Sequence, residues 1–73
     1  MEKKFKLLVI DDSRETVAGL NSFLSQQYDV LTAYNGLDGL KLIEQNEGTI
    51  DLLITDFVMP EISGVGVISI NIG

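Results

Sequence analysis

Seventy-three residues suffice for one small domain, and a chain of that length buries only about 60% of the surface its unfolded form exposes. Cysteine and histidine are both absent. This excludes disulfides, zinc-type thiolate or imidazole sites and a histidine-based nucleophile triad, so any metal must be held by oxygen. Eleven acidic residues against five basic ones give a net charge of −6, which repels a nucleic-acid backbone, and no basic stripe offsets it.

The chain opens on Met1-Glu2-Lys3-Lys4, without the apolar core of a signal peptide. No apolar run approaches the roughly 18 residues of a membrane span, so the expected setting is the cytoplasm, with no membrane partner. Phe5–Ile10 (FKLLVI) is a short run of strand formers closed by Asp11-Asp12-Ser13, and suits a central strand covered on both faces. From Ser13 to Gln27 the period becomes helical: Val17, Leu20 and Leu24 share a face, with Ala18 and Phe23 beside it. Tyr28–Ala33 reads as a second strand and Asn35-Gly36 as a turn. Leu37, Leu40 and Ile43 or Glu44 outline a second helix ending near Asn46-Glu47-Gly48. Ile50–Thr55 (IDLLIT) is the third strand, ending at Asp56 ahead of a loop marked by Pro60 and Gly64.

Strands alternating with helices imply right-handed βαβ units and a parallel sheet in an α/β fold, β-α-β-α-β. Two helices leave part of the apolar sheet uncovered. The tail 65–73 (VGVISINIG) makes a poor helix, whereas Ile68, Ile70 and Ile72 alternate with Ser69 and Asn71 as in a strand. A parallel return normally uses a connection of about a dozen residues. Antiparallel pairing, addition to a neighbouring chain or a disordered end are therefore the expected fates of this tail.

In a doubly wound sheet, ligands bind outside the carboxyl ends of the strands, where strand order reverses. The first strand ends in Asp11-Asp12 and the third in Asp56. If these strands are neighbours, three carboxylates converge and repel, and a cation among them or a retained proton makes the cluster tolerable. A small oxygen set with room for water suits Mg²⁺ better than caged Ca²⁺. Mg²⁺ beside a carboxylate that stands alone at its strand end points to phosphoryl chemistry, with Asp56 as nucleophile and the adjacent pair as metal holders. Asp12 also has a structural reading, because with Glu15 three residues later it fits a capping box at the first helix.

The stretches Leu8-Val9-Ile10-Asp11-Asp12-Ser13 and Asp51–Gly64 (DLLITDFVMPEISG) resemble the acidic-pair and phosphoacceptor motifs of CheY-like response regulator receivers. The separation of 44 residues between Asp12 and Asp56 fits that family, as does Ala33-Tyr34-Asn35-Gly36. The resemblance implies a flavodoxin-like doubly wound fold, present here as its N-terminal part: a partial receiver over 1–64 and a non-family hydrophobic tail over 65–73. It implies that Asp12 binds Mg²⁺ directly, Asp11 acts largely through water, Asp56 is both ligand and phosphoacceptor, and the Val58 backbone carbonyl completes the protein ligands. Pro60 and Gly64 would shape the loop leaving the site. The implied partner is a sensor histidine kinase or a phosphotransfer protein, and the implied role is signalling rather than enzymatic.

Complete receivers carry five strands, with a Ser or Thr after the fourth and a Lys after the fifth. Nothing basic follows Lys41 in this sequence, so weak Mg²⁺ binding and impaired phosphorylation are expected. Two other readings compete. A half-domain could self-associate through its sheet edge or tail. An aspartate-nucleophile phosphohydrolase of the haloacid-dehalogenase type would carry a second Asp two residues after the nucleophile, and Val58 stands there instead.

Overall fold

The computed structural model describes residues 4–56 and, as backbone, 66–69. The elements run β1 (Lys6–Ile10), α1 (Arg14–Leu24), β2 (Asp29–Ala33), α2 (Gly36–Gln45), β3 (Leu52–Thr55) and β4 (Gly66–Ser69). They form a single parallel sheet in the order β2-β1-β3-β4. This is the α/β, doubly wound pattern of a CheY-like fold.

β1 lies between β2 and β3, and this explains its composition. Leu7 to Ile10 are all buried, so the strand reads as a continuous apolar run instead of an alternating one. Register is in step across the middle of the sheet, with Ile10 beside both Ala33 and Thr55. The chain moves from β1 to β2 through α1 and then back across β1 to β3 through α2. Right-handed crossovers in opposite directions put the two helices on opposite faces. On one face Leu8, Ile10, Ala33, Ile50 and Leu53 make the main core, with Leu31, Leu42 and Ile43 packed against it. On the other, α1 contributes the buried Val17 and the half-buried Leu20 and Leu24. Ala18 and Phe23 remain outside, with Phe23 73% exposed.

The buried stripe of α2 differs from the sequence expectation. Leu37 and Leu40 are exposed, and the inward line is Gly39, Leu42 and Ile43. Close approach is the cause, because a Cβ at position 39 would overlap the Ile10 side chain. The helix therefore rests on β1 through its bare backbone, and this rotation carries the two leucines outward. After α2, Gly48 takes a left-handed conformation at φ 76°. The amino end of the sheet is then closed by two bonds between Lys6 and Asp51: the Asp51 backbone N–H donates to Lys6 O at 2.8 Å, and the Lys6 backbone N–H donates to the Asp51 side-chain Oδ2 at 2.8 Å.

β4 overturns the expected fate of the tail: it adds to β3 in parallel, Leu52 beside Gly66 through Thr55 beside Ser69. The usual connection length reflects room for a helix more than reach. Ten extended residues span at most about 33–36 Å, against roughly 13 Å for a four-residue strand, so residues 56–65 suffice for the return. The boundary drawn at residues 64/65 and the end of the tail at 70–73 lie outside the described residues.

Among the described residues, the α1 face is incompletely covered. Phe5, Leu7, Leu24, Tyr28, Leu52 and Ile54 line an apolar groove of about 370 Å³, shared with Asp51.

Two glycine substitutions of opposite sign test this packing. Gly39→Ala is expected to lower unfolding stability by about 1 kcal/mol, because overpacking against buried Ile10 outweighs the helix-propensity gain. Gly19→Ala, in α1 with open space around it, is expected to raise stability by up to ~1 kcal/mol. Urea unfolding followed by circular dichroism measures both.

Candidate metal and phosphoacceptor site

The reversal of strand order falls between β1 and β3, and both strands end in aspartate at the same sheet edge. One carboxylate oxygen from each of Asp11, Asp12 and Asp56 lies within 4.8 Å of the other two. The sequence names these three residues as a cluster, and the fold brings them together. Asp11 is buried at 8% exposure, whereas Asp12 and Asp56 are exposed.

Local hydrogen bonding gives the adjacent pair unlike duties. The Asp11 backbone N–H donates to Ala33 O at 3.2 Å, tying the end of β1 to β2. The Asp11 Oδ1 accepts from the Ser13 backbone N–H at 2.8 Å, which turns the chain into α1. Ser13, not Asp12, is the helix cap: its Oγ accepts from Thr16 N at 3.2 Å and from the Thr16 hydroxyl at 3.0 Å. The capping box proposed for Asp12 and Glu15 is therefore corrected. Ser13 takes the cap position because Asp11 already binds its amide, and the Asp12 carboxylate is left at the mouth of the cluster.

The same edge is completed by Tyr34 and Asn35, which follow β2. Asn35 caps α2 through Oδ1, accepting from Asp38 N at 2.8 Å. The Arg14 guanidinium lies 4.3 Å from the centroid of the Tyr34 ring, a stack that sequence inspection missed. Only the adjacency of the β1 and β2 ends could have suggested it. Thr55, beside the cluster in β3, is buried at 1% exposure. Val58, Pro60 and Gly64 lie outside the described residues.

The donor set is all oxygen and partly open to solvent, so a hard divalent cation retaining waters fits it. Separating the cap from the cluster has a measurable consequence. Ser13→Ala is expected to cost about 1 kcal/mol of stability. Asp12→Asn is expected to cost none and, in metal-free buffer at low ionic strength, to stabilise by relieving repulsion. Thermal melts at two salt concentrations separate the two effects.

Comparison with known proteins agrees with this architecture. The family model for the response regulator receiver domain matches residues 7–70. Over 63 residues the chain is 38% identical to a probable cyclic di-GMP phosphodiesterase of Vibrio cholerae serotype O1. That match covers 86% of this chain and 14% of the relative, so the chain spans a small part of that protein's length. No solved structure matches.

Proposed function

This chain belongs to the response regulator receiver domain family, a signalling module of two-component systems, and from that premise we propose that it accepts a phosphoryl group on Asp56 with Mg²⁺ bound. The observation that carries the reading is the meeting of Asp11, Asp12 and Asp56 within 4.8 Å at the switch point of the sheet. Asp12 and Asp56 would hold the ion directly. Asp11 would act largely through water, because its Oδ1 already accepts from Ser13. The Val58 carbonyl is the further ligand proposed from the motif. When bound, Mg²⁺ offsets the charge of the carboxylates and of the phosphoryl oxygens.

The proposed donor is the phosphohistidine of a sensor kinase or phosphotransfer protein. An Asp56 carboxylate oxygen attacks phosphorus in line with the imidazole nitrogen. The P–O bond of an acyl phosphate forms as the P–N bond breaks, and the departing imidazole takes a proton from solvent. Asp56 suits this step because it is exposed at its strand end. A cytoplasmic setting follows from the same reading. Among the described residues no helix is long and apolar enough to cross a membrane. Phosphodiesterase activity is not carried over from the relative, of which this chain covers 14%.

Phosphoramidate with Mg²⁺ is expected to add one phosphoryl group, on Asp56, detectable by mass spectrometry and abolished in Asp56→Asn. Mg²⁺ should also raise the thermal midpoint of the parent chain but not of Asp12→Asn. Label on another residue, or a midpoint indifferent to Mg²⁺, contradicts the reading.

A second reading is self-association, supported by the apolar groove that the described residues leave on the α1 face and by β4 at the sheet edge. Sedimentation velocity is expected to show a concentration-dependent dimer that is favoured by salt, which screens the net charge of −6. A single monomeric species at every concentration removes it.

A further inference from the structure

Arg14 stands where helix electrostatics disfavour a cation. It is the first residue of α1, and the positive end of a helix dipole favours acidic groups there, such as Glu15 beside it. It is also the basic residue of this chain nearest in sequence to Asp11 and Asp12. Lys6 begins β1, and its ammonium turns to Asn46 and Thr49 at the opposite edge of the sheet. Lys41 lies midway along α2, exposed. The ring of Tyr34, at the end of β2, holds the guanidinium at 4.3 Å from its centroid. β2 and β3 flank β1 on opposite sides, so the stack is made with a residue from the strand end away from the one that carries Asp56.

We infer that Tyr34 parks the Arg14 guanidinium beside the carboxylate cluster but out of it, so that Arg14 tunes the metal site by charge without occupying it. The inference rests on the metal-binding reading given above. Three carboxylates and one divalent ion leave a single negative charge, and a guanidinium held nearby offsets it. A phosphoryl group then meets a neutral edge instead of an anionic one. The same cation left unrestrained would fold onto Asp12 or Asp56 and compete with the ion. Stacking on an aromatic face satisfies it elsewhere while preserving its field.

Opposite signs are therefore expected from two single substitutions in a Mg²⁺ titration of the whole chain, followed by calorimetry. Arg14→Ala removes the repelling cation, and Mg²⁺ should bind about threefold more tightly at low ionic strength, converging on the parent at ~0.5 M salt. Tyr34→Leu frees the guanidinium to pair with a carboxylate, and Mg²⁺ should bind more weakly than in the parent. The double variant should follow Arg14→Ala, because without the arginine the ring has nothing to restrain. Arg14→Lys keeps the charge but loses the planar stack, and its Mg²⁺ affinity should fall with that of Tyr34→Leu. Arg14 is exposed, so circular dichroism should show an unchanged fold. If Arg14→Ala and Tyr34→Leu both match the parent while Asp12→Asn abolishes binding, the inference is overturned and the metal site stands. If Asp12→Asn binds Mg²⁺ as the parent does, the metal-site reading itself falls.

Discussion

Like charges are gathered at one point of this small domain. Two carboxylates about 4 Å apart in bulk water repel by roughly 1 kcal/mol, and Asp11, Asp12 and Asp56 form three such pairs at one sheet edge. A chain of this size has little stability to spare. A cluster placed for packing alone would work against the fold. The surrounding structure anchors it nonetheless: Asp11 is hydrogen-bonded to Ser13 and Ala33, and Ser13 in turn caps α1. The cluster therefore makes physical sense as one half of an interaction whose other half is a cation, and stability and ligand binding are coupled through it.

The position of the cluster follows from the path of the chain. α1 carries the chain one way from β1 and α2 carries it back across, so β1 has strand neighbours on both sides and helices on both faces. That burial requires the unbroken run Leu7–Ile10, and the run ends where the sheet meets solvent, at Asp11. Gly39 serves the same arrangement from the other side by letting α2 settle on Ile10, the residue just before the acidic pair. Packing that appears remote from the chemistry thus sets where the carboxylates stand.

Around the cluster the short polar side chains have separate tasks. Ser13 and Asn35 cap the two helices that start at this edge, and Asp11 holds the first turn. Asp12 and Asp56 are exposed. Arg14 supplies a cation against the preference of its own helix and is steadied by Tyr34 from the neighbouring strand end. A residue that breaks a local rule while a distant one accommodates it is a recurring sign of function.

Periodicity and strand-ending residues in the sequence determined the βαβαβ order, the central place of β1, and Asp11, Asp12 and Asp56 as the residues of interest. These signals are local, because a buried strand, an amphipathic turn and a strand end each leave their mark within a few residues. Tertiary structure decided the rest. The inward stripe of α2 depends on how closely Gly39 can approach Ile10, and the cap of α1 depends on which group Asp11 has already bound. The parallel placement of β4 depends on an open edge at β3, and the Arg14–Tyr34 stack on two strand ends lying side by side. Each is a relation between segments distant in sequence or a competition for one hydrogen bond, and neither is written in the order of residues along any single element.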